Sequence, residues 1–353
     1  FVIAGAGLVG MSTALSLRER FPKEKIIILE RGYLPTGAST KNAGFACFGS
    51  PTEIQDDLQH MPSETVWETI ALRLQGLELL KNRVGLEALA YQNCGSWDLV
   101  KEHDPILESG FLAALNEQFK LRFGLNNVYR QDNQFIEKFG FKGYRTAYFN
   151  NYESSIDTGK MIAKLYQLCI EQGIQFLFST TVQNWKSNTI DVQIETNHGS
   201  ISGDHLFICT NGFAQSYFPN DLQPARAQVL ITKPLHHQVK GLFHSDLGYY
   251  YFRDIGPRIL LGGGRHLDFI SETTTDFEKN DKIRSALIQK LKEEILPDQA
   301  FEIDYEWSGI MSVGTEKKPL IRSLNKNVHA GVRMGGMGVA IGSAVGKALS
   351  KLV

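Results

Sequence analysis

Cysteine is scarce and scattered. Only Cys47, Cys94, Cys169 and Cys209 occur in 353 residues, and no two form a Cys-x-x-Cys pair. That excludes a disulfide framework and a cysteine-based zinc site, so no metal is expected, and it fits a reducing compartment. An excess of charge of one sign is also missing: 37 Lys and Arg stand against 38 Asp and Glu, a formal net charge of -1. Without a basic surplus there is nothing to draw in nucleic acid or acidic lipid, which leaves a small molecule as the expected partner. No apolar run reaches the roughly 18 residues of a membrane-spanning helix. Repeats and low-complexity linkers are absent too, so the domains are expected to interleave. Phe1 leads straight into an apolar strand with no basic stretch ahead of it. No secretory signal is therefore expected, the native start is expected upstream, and the cytoplasm is the expected location.

What is present is an ordinary globular balance, 42% hydrophobic and 21% charged, with mixed periodicities. Residues 1–4 read as a short buried strand, 5–10 as a tight glycine turn, and 11–20 as a helix with apolar residues at Met11, Ala14 and Leu15. Residues 26–29 form a second apolar strand. Residues 36–50 read as a long irregular loop, a length that points to function. Helices are expected over 63–84, 105–119 and 281–296, and over 158–173 behind an N-cap at Asp157. Strand patterns dominate between them, at 174–178, 189–196, 206–210, 227–232, 248–253, 258–262 and 301–309. The end repeats the beginning: strand 328–332, glycine turn 335–338, then helix to 353.

Gly5-Ala6-Gly7-Leu8-Val9-Gly10 is a G-x-G-x-x-G sequence between strand and helix. Gly5 allows the tight turn, Gly7 lets backbone approach a pyrophosphate, and Gly10 lets helix pack on strand. The helix N-terminus offers unpaired N–H groups and a positive dipole end to phosphate. Glu30, twenty residues beyond Gly10, can accept from ribose hydroxyls and repels a 2′-phosphate. Together these define a dinucleotide site and leave NAD or FAD open.

Two segments favour FAD. Gly37-Ala38-Ser39-Thr40-Lys41-Asn42-Ala43-Gly44 has the small side chains and Ser/Thr/Asn groups that suit a backbone lying against a ring system and its phosphate linker. Gly335-Gly336-Met337-Gly338 supplies a second helix N-terminus, whose dipole could face the pyrimidine end of a flavin. With the fingerprint, these segments resemble the D-amino-acid oxidase superfamily over nearly the whole chain. Ser155-Ile156-Asp157-Thr158-Gly159-Lys160 and Pro224-Ala225-Arg226-Ala227-Gln228 are similar to further turns of that family. The resemblance implies FAD contacts from Gly5, Gly7, Gly10, Glu30 and Arg31, and from Ser39, Thr40, Asn42, Ala43 and Gly44. It adds Val182 beside the adenine, Thr210 and Gly212 at a third turn, and Gly336, Met337 and Gly338 at the C-terminal one. Relatives that attach flavin covalently use a histidine near the first loop or a cysteine near the late one. Residues 37–44 contain no histidine and 307–319 no cysteine, so non-covalent FAD is expected.

For the substrate, Tyr249-Tyr250-Tyr251-Phe252-Arg253 reads as a strand with Tyr249, Tyr251 and Arg253 on one face. By resemblance, Tyr249 falls at a pocket tyrosine of glycine oxidase and His266 at an active-site histidine of sarcosine-oxidase relatives, with Arg265 able to meet a carboxylate. The lysine that assists oxygen in those relatives is replaced by Gly262, which leaves the electron acceptor open. Met311 stands where glycine oxidase carries its carboxylate-binding arginine. Arg226, Arg253, Arg265 or Arg333 must substitute for it, or the substrate is not a simple α-amino acid. Cys47 is read as a small packing residue.

The expected fold is α/β: a Rossmann-like FAD domain (1–88, 149–222, 323–353) interleaved with a mostly antiparallel substrate domain (89–148, 223–322). The expected function is oxidation of a small amine or amino-acid-like substrate by hydride transfer to the flavin. A 2-hydroxy-acid dehydrogenase, a non-catalytic FAD-binding protein and an NAD enzyme stand as alternatives.

Overall fold

The computed structural model describes residues 1–236 and 239–353. Its first layer is a six-stranded sheet ordered Leu320–Ser323, Val328–Val332, Leu206–Ile208, Val2–Ala4, Ile27–Leu29, Gln175–Leu177. All neighbours are parallel except the pair formed by Leu320–Ser323 and Val328–Val332. These strands are short and largely apolar because helices cover the sheet, leaving little room for alternation. Ile3, Ile28 and Phe207 are fully buried with Met11, Ala14 and Leu17 of helix Leu8–Arg20.

Small residues let three helices cross closely. A Cβ at Gly76, in helix Ser63–Val84, would stand 2.0 Å from the carbonyl oxygen of Ala340 in the terminal helix Gly338–Ser350. One at Gly346 would stand 2.6 Å from Ser12 Cβ of the first helix. The two glycines set the spacing of that helical layer.

The second layer is an eight-stranded sheet. Its order is Ile303–Val313, Gln223–Thr232, Arg258–Gly263, Tyr250–Ile255, Leu242–Ser245, Ser96–Lys101, Tyr144–Asn150, Tyr129–Gln131. Every pairing is antiparallel except Leu242–Ser245 with Ser96–Lys101. One face packs Phe243, Phe252 and Leu261 against Ile283 and Leu287 of helix Asp281–Lys290. The opposite face, carrying His244, Tyr251 and Arg253, turns toward the loop after Gly37. The α/β class and the mostly antiparallel second sheet are as the sequence suggested.

Several boundaries differ. The helix expected at 105–119 is Phe111–Phe123, set between left-handed Gly110 and Gly124. That expected at 281–296 ends at Lys290 and continues as a π turn, Leu291–Ile295. Asp157 caps Thr158–Glu171 through Lys160 N, as expected. The stretch 36–50 is more ordered than its composition suggests, with a helical turn at Ala38–Lys41 and a strand at Phe45–Ala46 paired to Ser154–Ser155. Helix Pro51–His60 follows behind a capping box of Ser50 and Glu53, a short signal at the end of that apparent loop. Among the described residues, no helix is long and apolar enough to cross a membrane.

Candidate active site

The two sheets enclose one cavity of about 1510 Å³. At one end it reaches Gly5 and Gly7 between the first strand and helix. A Cβ at Gly10 would lie 2.0 Å from Gly5 O, so only glycine permits this strand–helix contact. Glu30 bridges its own turn: Oε2 accepts from Ala6 N and Oε1 from Gly32 N, both at 3.0 Å. Ser39 Oγ accepts from Leu8 N, at the head of the first helix, at 3.0 Å. The first loop and the glycine turn thus meet where a phosphate chain would run.

Asn42 pins the loop from within, donating from Nδ2 to Ala38 O and Ser39 O and accepting at Oδ1 from Gly44 N. Arg253 pins it from the second sheet. Its buried Nη1 donates to the carbonyls of Ala43, Gly44 and Ile156 at 3.2, 3.1 and 3.0 Å. That role removes Arg253 from the candidate carboxylate ligands. Arg226 is held by buried Glu272 at 2.7 Å, and Arg333 by Lys318 O, Asp221 O and Glu316. Of the four arginines considered in place of Met311, Arg265 is the one whose side chain lines the cavity, and its guanidinium lies 4.7 Å from the Phe269 ring centroid.

The remaining expected cofactor residues divide. Arg31, Ala43, Val182, Thr210, Gly336, Met337 and Gly338 line the cavity. Thr40, Gly44 and Gly212 do not. The Thr40 hydroxyl is engaged by Pro35 O and Gly37 O, while Gly44 packs on the Ile156 carbonyl and Gly212 on that of Met311. They shape the loops from behind.

On the far side, Tyr249 and Tyr251 both face the cavity, although Tyr249 precedes the strand, which begins at Tyr250. Burial raises the Tyr251 phenol to about 12, so it stays neutral. A Cβ at Gly262 would stand 2.4 Å from the Tyr251 ring, so that ring fills the space a longer side chain at 262 would need. His266 is placed differently from Arg265. It sits outside the cavity lining, packed between the rings of Tyr249 and Tyr250 at 4.7 and 5.3 Å. Strand-to-turn geometry at Gly264, which is left-handed, sends Arg265 to the cavity and His266 behind it.

The sequence reading missed several cavity residues. Cys47, Glu53, Arg73, His244 and Lys317 all line it. They come from four separate stretches, and the strand carrying His244 has no alternation that marks it. Cys47 is buried, as read, and desolvation with nearby Glu153 and Glu53 holds its thiol well above its ordinary value.

A dinucleotide cradle that opens beneath an antiparallel sheet defines a nucleotide-binding protein with an adjoining pocket. The chain matches the family model DAO, FAD dependent oxidoreductase, over residues 1–352, and it belongs to that family. FAD is the family's cofactor. The residues present fit it: the glycine turn, Glu30 and the Ser39–Leu8 contact lie along one continuous cavity that also reaches the 336–338 turn.

No curated protein matches the sequence. Among solved structures the fold is similar to L-proline dehydrogenase from P. horikoshii, with TM-score 0.77 and 15% identity over 99% of this chain and 92% of that one. Iminodiacetate oxidase from Chelativorans sp. BNC1 gives TM-score 0.77 and 14% identity over 99% and 94%. Glycine oxidase from Geobacillus kaustophilus gives 0.74 and 14% over 98% and 91%.

Proposed function

We propose that this FAD-dependent oxidoreductase oxidises a small amine or amino-acid-like substrate. The carrying observation is that one cavity runs from the dinucleotide cradle to a pocket holding Arg265, Tyr249, Tyr251 and His244. The amino-acid and imino-acid substrates named for the structurally similar enzymes support the same class.

Bound FAD would supply the hydride acceptor. Gly5, Gly7, Glu30, Arg31 and Ser39 would hold its phosphates and ribose, with Val182 toward the adenine and Thr210 at the third turn. The N-terminus of helix Gly338–Ser350 would place its positive end at the reduced ring. Arg265 would orient a substrate carboxylate, and Tyr249 and Tyr251 would wall the pocket and limit water. The six-stranded sheet would serve as the cofactor domain and the eight-stranded sheet as the substrate domain. With no histidine in 37–44 and no cysteine in 307–319, the flavin is held without a covalent bond.

The test is the visible spectrum of the purified protein, then of the supernatant after heat precipitation, followed by anaerobic bleaching with amines, amino acids and 2-hydroxy acids. Released flavin and bleaching by a nitrogen donor are expected. Bleaching by hydroxy acids alone would move the protein to the hydroxy-acid class, and no bleaching by any donor would make FAD a structural group.

A further inference from the structure

His244 stands out among the cavity residues. It is buried, 7% exposed, in the middle of strand Leu242–Ser245. Its Nε2 is shut off from solvent without a hydrogen-bond partner and lies 3.8 Å from Glu153 Oε2. Since the side chain lines the cavity, the other ring nitrogen is the one a substrate can reach. The Phe45 ring meets the imidazole edge-on at 5.0 Å and restricts its rotation.

Glu153 is fully buried, and both of its carboxylate oxygens are hydrogen-bonded. Oε1 accepts from Phe48 N at 2.8 Å and Gly49 N at 3.0 Å, and Oε2 accepts from Ser96 Oγ at 2.5 Å. Desolvation raises its pKa, and the neighbouring imidazole and these three donors oppose the rise. Other ionisable groups also surround His244. Asp98 and Tyr251 stand opposite it on the flanking strands, Cys47 comes from the loop after Phe45, and Glu53 and Arg73 come from the two following helices. Asp98 is occupied by Thr52 through N and Oγ1. Glu153 is therefore the carboxylate positioned behind the imidazole.

We propose that His244, backed by Glu153, accepts a proton from the substrate ammonium so that the amine reacts in its neutral form. This rests on the amine-oxidation reading above. An N–H bond of the ammonium breaks and its electron pair stays on nitrogen. The proton passes to the cavity-facing ring nitrogen, and the imidazolium is stabilised by the Glu153 carboxylate. The neutral amine could then give up its α-hydrogen as hydride and leave as the iminium, bound FAD being the group that would supply the two-electron acceptor. A carboxylate behind a histidine is a general way to hold its orientation and favour its charged form.

The holoenzyme tests this in two ways. The first is a histidine Hε1–Cε1 NMR titration of oxidised protein, with the His244 signal identified by its loss in His244→Gln. Glu153→Gln, whose amide oxygen can still accept from Phe48 N and Gly49 N while its NH2 donates to Ser96 Oγ, removes the negative charge beside His244 and should lower the pH at which its imidazole ionises. The second is anaerobic flavin bleaching at saturating amine across pH. In His244→Gln the rate should fall roughly 100-fold or more, and its ionisation should move toward that of the free amine. Should that variant lose its flavin, His244→Asn replaces it. An unmoved His244 ionisation in Glu153→Gln, or a His244 variant bleaching within threefold of wild type with the same pH profile, overturns the proposal. If wild type is bleached by no amine at any pH, the amine reading fails and this assignment falls with it. A bleaching wild type with an unaffected variant removes His244 alone.

Discussion

Replacing Arg253 by methionine should loosen the flavin loop from a distance. One guanidinium nitrogen serves the carbonyls of Ala43, Gly44 and Ile156, and Gly44 O also accepts from Ile156 N at 2.8 Å. The nitrogen has two hydrogens, so the three contacts count as about two full bonds. Charge-assisted bonds are worth about 1.5–3 kcal/mol each. Relief of the buried charge offsets part of this, as the lowering of the Arg253 pKa by desolvation implies. A net loss of about 2–4 kcal/mol follows. If about 2.8 kcal/mol of it must be recovered when the loop orders on the cofactor, FAD affinity falls about 100-fold. Urea unfolding of the apoprotein measures the first quantity and flavin fluorescence quenching on FAD titration the second. Arg253→Lys keeps the charge but loses the planar fork, and should fall between. Changes below about 0.5 kcal/mol in stability and about twofold in affinity would refute the idea that this contact sets the loop.

Three further outcomes follow from the same structure. Arg265→Met should weaken an amino-acid substrate about 10- to 100-fold while leaving an amine without a carboxylate nearly unchanged, read as the substrate dependence of flavin bleaching. Gly10→Ala places a methyl group 2.0 Å from Gly5 O, so it should cost at least about 3 kcal/mol in urea unfolding and abolish FAD retention on gel filtration. His329 is buried between Ser323 Oγ and His205, and desolvation followed by His205 lowers its pKa to about 4. The folded state therefore binds this proton less readily than the unfolded state. Its contribution is complete above about pH 6.5 and is lost as pH falls toward 4, up to about 3 kcal/mol. Urea unfolding between pH 7 and 4.5 should be less steep in pH for His329→Gln.

Local sequence determined the parts of this protein that are local in physics. The Gly5–Gly10 turn with Glu30 reads out directly because strand, turn and helix are neighbours in the chain, and Gly10 packs on the Gly5 carbonyl five residues away. Asp157 identified its helix for the same reason, since an N-cap acts only three residues ahead. The loop after Gly37 was recognisable by composition. The helix Pro51–His60 was not, although its capping box of Ser50 and Glu53 is a local signal at the loop's end.

Tertiary structure decided which side chains share the cavity. The face of Tyr251 and Arg253 follows from a period of two, but only the packed sheets show Arg253 turned to the flavin loop and Arg265 to the pocket. Arg265 and His266 are adjacent, and a left-handed glycine before them separates their environments. His244 and Glu153 are 91 residues apart in sequence and meet because Leu242–Ser245 pairs in parallel with Ser96–Lys101, whose Ser96 holds the Glu153 carboxylate. Parallel pairing between strands so far apart depends on the assembly of the whole eight-stranded sheet. No local spacing rule carries that information, which is why the cradle could be read from residues and the pocket could not.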